Sequence, residues 1–91
     1  MKHYNITVQG KVQGVFFRAS AKQIAELLGI RGLIRNEKNG DVSIDAEGDE
    51  EALVKFIQWC HHGPANAEVK HVSVRQGVYL HYKTFEIASG K

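Results

Sequence analysis

Along this chain the spacing of apolar residues switches from the two-residue rhythm of a strand to helical spacing and back, twice. From Tyr4 to Val8 apolar and polar residues alternate, Tyr4, Ile6 and Val8 against Asn5, Thr7 and Gln9, as in a strand with one buried face. Ala21, Ile24, Leu27 and Leu28 then recur at helical spacing, and Gly29 stands where a left-handed C-terminal cap is wanted. Two strands are predicted over 32–37 and 41–47, joined by a turn whose Asn39-Gly40 pair is a strong hairpin signal. In the second of them Val42, Ile44 and Ala46 face one way, and Ser43, Asp45 and Glu47 the other. Asp49 is placed to cap a second helix, Glu50 and Glu51 suit its positive start, and Leu53, Phe56, Ile57 and Cys60 form its apolar stripe. His61-His62-Gly63-Pro64 ends that helix; Val69, Val72 and Val74, then Phe85 and Ile87, mark two further strands.

This order of elements, βαββαβ with a final β, leaves few topologies. Two β-α-β crossovers, each right-handed, interleave most simply as a split βαβ (ferredoxin-like) α+β sandwich. The expectation is an antiparallel sheet of four to five strands with two helices on one face. With 91 residues, the whole of 1–91 reads as a single domain able to close one core. Cys60 is the only cysteine, so a disulfide within the chain, a thiolate metal cluster and a C-x-x-C redox pair are all excluded, and a reducing compartment, the cytoplasm, is expected. No apolar run is long enough to span a bilayer, and no membrane partner is expected. A net charge of only +2 falls far short of the basic stripe of a nucleic-acid binder.

The stretch Gly10 to Ser20, G-K-V-Q-G-V-F-F-R-A-S, is unusual for a connection between a strand and a helix. A chain entering a helix can aim successive backbone N–H groups at one point, where the helix dipole adds to the field, which suits a phosphate group. Gly10 and Gly14 can take positive φ, letting the loop curl. Arg18 supplies a planar, permanently charged fork that matches two phosphate oxygens. Of Phe16 and Phe17, at least one can pin the loop to the core so that the N–H groups point inward before a ligand arrives. The plain alternative is a glycine-eased turn with a surface arginine. Neither the Walker spacing nor the dinucleotide-binding glycine triplet is present.

Residue by residue, the chain resembles the acylphosphatase family. The motif G-x-V-Q-G-V-x-F-R occurs as Gly10 to Arg18, and a second glycine and asparagine pattern occurs as Gly32-Leu33-Ile34-Arg35-Asn36, Gly40, Val42 and Gly48. Leu33 and Ile34 depart from the family's usual aromatic and smaller residues. The resemblance implies the split βαβ fold with its fifth strand at a sheet edge. It implies metal-independent hydrolysis of a small-molecule acyl phosphate by in-line water attack, with no cofactor. Inorganic phosphate would be product and inhibitor. By the same resemblance Arg18 and Asn36 are the catalytic residues: Arg18 holds the phosphoryl group with the N–H groups of Gln13, Gly14, Val15, Phe16 and Phe17, and Asn36 orients the attacking water. A monomer is expected.

Other residues have simpler readings. His61 and His62 are adjacent on a helix, point about 100° apart and have no evident third metal ligand. His3, His71 and His81 are scattered, Cys60 lies in register with the buried stripe, and Trp59, Tyr4, Tyr79 and Tyr82 are packing or rim residues. A silent phosphate-binding module with the same loop is the main alternative. An RNA-binding sandwich is the other, but its aromatic signature is missing and the outward positions Asp45 and Glu47 are acidic.

Overall fold

A computed structural model describes residues 1 to 88; Ser89, Gly90 and Lys91, the end of the A-S-G-K tail expected to fray, lie outside them. Its elements are β1 (Lys2–Lys11), α1 (Phe17–Leu28), β2 (Arg31–Asn36), β3 (Val42–Gly48), α2 (Glu50–Cys60), β4 (Glu68–Gly77) and β5 (Phe85–Ile87). The sheet runs β4-β1-β3-β2-β5. Its four long strands pair antiparallel, as expected. The fifth departs from the antiparallel expectation: β5 joins the edge parallel to β2, with Gly32, Ile34 and their partners Phe85 and Ile87 in register. The Gly32 N–H donates to the Thr84 carbonyl at 2.9 Å and the Ala88 N–H to the Ile34 carbonyl at 2.8 Å. The chain returns through the long 78–84 loop over the sheet and so arrives at β2 in the parallel sense.

Both helices cover one face of the sheet and touch each other. Between them and the sheet lie Ile6, Val8, Ile34, Val42, Ile44 and Ala46 from the strands, Phe17, Ala21 and Ala25 from α1, and Leu53, Phe56 and Cys60 from α2. The alternation on β1 and β3 therefore translates directly into a buried face. On α1 the stripe differs from the expectation. Leu27 is 82% exposed, because it sits roughly 100° around the helix from the line through Phe17, Ala21, Ala25 and Leu28. Asp49 occupies the N-cap of α2 without a side-chain capping bond. The odd three-residue interval between Val69 and Val72 marks a β-bulge: the β1–β4 register shifts between Gln9 and Gly10, so both valines reach the core side. Gly10 takes φ 133° there, and a Cβ on it would overlap the Glu68 carbonyl oxygen.

The opposite face carries a polar cluster that the sequence did not signal. Glu47, read as an outward residue, is only 2% exposed, and His3 only 3%. His3 lies between two carboxylates, Nδ1 2.7 Å from Glu47 Oε2 and Nε2 3.2 Å from Asp45 Oδ1. The 78–84 loop folds over them: the Leu80 and Tyr82 N–H groups donate to the Glu47 carboxylate at 2.5 and 2.8 Å, and the Tyr82 ring stacks on His3. Burial by itself pushes the Glu47 carboxyl up, but the hydrogen bonds from His3, Leu80 and Tyr82 together hold it below its ordinary value.

Candidate active site

The crossover from β1 to α1 makes a sharp reversal. Gly14 sits at φ 73°, which glycine adopts without steric penalty. Phe16, the N-cap of α1, also lies in the left-handed region, at φ 64° and ψ 22°, where a bulky side chain is strained by about 1–3 kcal/mol. The two phenylalanines divide their tasks. Phe17 is 1% exposed and packs its ring 5.2 Å from that of Trp59, so it is the one that pins the loop. Phe16 is 78% exposed. Val15 is buried too, at 7%, and gives the loop a second anchor.

With the chain held in this way, the start of α1 is open. The Ser20 N–H donates to the Phe16 carbonyl at 3.0 Å. Among the described residues, no acceptor takes an N–H from residues 14 to 19, and those of 16 to 19 are the four donors a helix leaves unsatisfied at its start. No acidic residue occupies the first turn of α1, whereas the first turn of α2 carries Glu50 and Glu51. One helix start is thus neutralised by its own carboxylates, and the other keeps its positive field.

Asn36 comes to the same place from the last position of β2. It pairs across to Val42 of β3 and so points to the helix side of the sheet. Its Oδ1 is buried and has no hydrogen-bond partner among the described residues. Val12, Gly14, Phe16, Phe17, Arg18, Ala19, Asn36 and Ile87 line a cleft of about 300 Å³. Of the residues anticipated from sequence, Arg18, Asn36, Gly14, Phe16 and Phe17 therefore meet at one cleft. Arg18 is half-buried and pairs with no carboxylate among the described residues.

Gln13 and Val15 are not lining residues. The Gln13 side chain turns toward the β2–β3 hairpin, where Nε2 donates to the carbonyls of Glu37 at 2.8 Å and Asp41 at 2.9 Å. Gln13 thus ties the loop to the residue that follows Asn36, a role without a sequence signal, since both acceptors are backbone atoms 24 and 28 positions away. Ile87 was also unanticipated as a lining residue, because it reaches the cleft only through the parallel pairing of β5. The remaining chemical candidates take the simpler readings. The Cys60 thiol is buried and pushed up to about 12 by that burial, and His62 Nδ1 lies 3.1 Å from the Gln58 carbonyl at the end of α2.

An open helix start, an arginine at its first turn and an asparagine whose Oδ1 is buried without a partner among the described residues meet at one cleft of a small α+β sandwich. Comparison with known proteins agrees with that class. The acylphosphatase family model matches residues 4–87. An acylphosphatase of a Nocardioides species is 43% identical over 83 residues, which are 91% of this chain and 84% of that one. The crystal structure of acylphosphatase from Bacillus subtilis superposes with a TM-score of 0.94 at 34% identity, covering 97% of this chain and 99% of the other. The structure of an acylphosphatase from Coxiella burnetii gives 0.93 at 36% identity, over 96% and 92%. The chain belongs to the acylphosphatase family.

Proposed function

We infer that this chain works as an acylphosphatase, cleaving the carboxyl–phosphate bond of a small acyl phosphate to a carboxylate and inorganic phosphate. The observation that carries the reading is the convergence of Arg18, the Asn36 side chain and the open N–H groups of the α1 start on one cleft. Arg18 and those N–H groups hold the non-bridging phosphoryl oxygens. They act as a preformed field for the charge those oxygens carry in the transition state. The Asn36 side-chain amide hydrogen-bonds the attacking water and aims its oxygen at phosphorus, in line with the leaving group. The water oxygen bonds to phosphorus as the bond to the bridging oxygen breaks, and that electron pair leaves on the carboxylate. The water's proton passes to a phosphoryl oxygen. A carboxylate is a good leaving group, so the scheme requires no general acid, metal or covalent intermediate.

Phosphate, the product, fits the same cradle and competes with substrate. We place the enzyme in the cytoplasm as a monomeric single domain. The one cysteine, buried as a neutral thiol, suits a reducing compartment. Among the described residues no helix is long and apolar enough to cross a membrane.

The test is turnover of acetyl phosphate by the purified protein in excess chelator. Hydrolysis persists, phosphate inhibits competitively, and an alkyl phosphate monoester is a poor substrate because its alkoxide needs an acid to leave. Activity that vanishes on chelation and returns with a divalent metal refutes the metal-free scheme, and equal rates on monoester and acyl phosphate refute the assignment.

A further inference from the structure

Both helices lie on one face of the sheet, and the opposite face is only partly covered. The 78–84 loop closes over its His3 and Glu47 end and leaves the next two rows of side chains partly open to solvent. Strand register fixes those rows. Arg75, Asn5, Asp45 and Leu33 stand side by side across β4, β1, β3 and β2, and Ser73, Thr7, Ser43 and Arg35 stand side by side in the next row. Short polar side chains on the two central strands therefore lie between long cationic ones that reach in from either end. Asn5, Thr7, Arg35, Ser43, Asp45 and Arg75 line a trough of about 270 Å³, which shares no lining residue with the active cleft. Neither arginine lies within ion-pair distance of a carboxylate among the described residues. Arg35 is half-buried, so its guanidinium has given up part of its hydration without gaining a counter-ion. The same condition marks Arg18 in the active cleft. The carboxylates of this face are engaged by other partners: Asp45 Oδ1 accepts from the Asn5 amide and lies 3.2 Å from His3 Nε2, and Glu37 Oε2 accepts from the Ser43 hydroxyl at 2.5 Å.

We propose that this trough is a second anion site, separate from the active cleft, which binds a di- or triphosphate group between Arg35 and Arg75. Two guanidinium forks match phosphoryl oxygens, and the hydroxyls of Thr7 and Ser43 and the Asn5 amide supply short polar contacts along the floor. The two arginines rise from strands three places apart in the sheet, roughly 14 Å between backbones. They therefore approach from opposite ends and suit charge spread along linked phosphoryl groups better than one tetrahedral anion. Asp45, in the middle of the floor, works against a single charge at the centre. The trough is smaller than the ~300–1,000 Å³ of ordinary small-molecule pockets, which favours a compact polyanion. It lies on the far side of the sheet from the helices, so a ligand there leaves Arg18 and Asn36 free.

Amide NMR titration of the intact chain with pyrophosphate tests this, because each site reports through its own residues. Saturable shifts are expected at Thr7, Ser43 and Arg75, with an affinity fitted separately from any shifts at Gly14 to Ala19 in the cleft loop. Arg35→Gln and Arg75→Gln keep side-chain length at partly or fully exposed positions and remove one charged contact each. Either weakens binding at the trough by about tenfold or more and leaves the affinity at the cleft loop unchanged, while the spectrum itself shows that the variant is folded. Lys55→Gln removes an equal charge from the exposed side of α2 and alters neither affinity. Shifts confined to the trough would support the second site and count against phosphate binding in the cleft, so the two readings fail separately. Absence of saturable shifts at the trough overturns the proposal; so does wild-type affinity there in both arginine variants, or a loss in Lys55→Gln equal to theirs, which would reduce the binding to general surface charge.

Discussion

Asn36 offers the sharpest separation between a residue kept for chemistry and one kept for the fold. Its Oδ1 is buried without a partner among the described residues, a condition that destabilises a folded chain by roughly 1–3 kcal/mol. Replacing Asn36 by alanine removes that unmet acceptor and also a small amount of packing, on the order of 1 kcal/mol. The two effects oppose each other, so Asn36→Ala is expected to be as stable as the wild type or slightly more so. Asn36→Leu, which keeps the volume, is expected to be more stable still. Turnover moves the other way. Loss of one positioned transition-state contact lowers kcat by roughly 10²-fold, equivalent to about 2.7 kcal/mol of barrier. The phosphate inhibition constant barely changes, because phosphate is held by Arg18 and the loop. Urea unfolding, steady-state kinetics with an acyl phosphate and phosphate inhibition of the same preparations decide the matter. A variant destabilised by more than about 2 kcal/mol with kcat within about threefold of wild type would make Asn36 a packing residue and refute the reasoning.

Arg18→Lys exchanges a planar two-pronged donor for a point charge of different reach; kcat/KM falls and phosphate inhibition weakens together, whereas wild-type kinetics in a folded variant would reduce Arg18 to a surface cation. Gln13→Ala breaks two hydrogen bonds to the β2–β3 hairpin, lowering stability by about 2 kcal/mol and lowering kcat with both acetyl and benzoyl phosphate, as a positioning residue should; an unchanged kcat would confine Gln13 to stability. Glu47 has a folded-state value below its ordinary 4.5, so it stabilises the fold above about pH 4.5 and loses that contribution as pH falls through the folded value. Thermal melts from pH 7 downward should therefore show a smaller acid-induced loss in Glu47→Gln than in the wild type, and parallel curves would exclude Glu47 as a source of acid lability.

The two-residue rhythm of β1 and β3 and the apolar stripe of α2 are local properties, and they determined by themselves which faces are buried: Ile6, Val8, Val42 and Ile44 meet Leu53, Phe56 and Cys60 in one core. The order of elements was equally legible, since right-handed crossovers leave few ways to close two β-α-β units. The loop motif gave the place of the cleft, since Gly14, Phe16, Phe17 and Arg18 all line it, whereas taken alone it read equally well as a glycine-eased turn with a surface arginine. What only the tertiary structure decided are contacts between residues remote in sequence. The parallel seating of β5 brings Ile87 to the cleft, although its own three residues carry no sign of direction. Gln13 reaches backbone carbonyls whose identity no side chain announces. The 78–84 loop turns Glu47 and His3 from surface residues into a buried pair, because burial depends on what folds over a face and periodicity reports only which side of the strand a residue is on. Which phenylalanine enters the core was settled by the left-handed turn at Phe16, a choice between two identical side chains that the backbone alone could make.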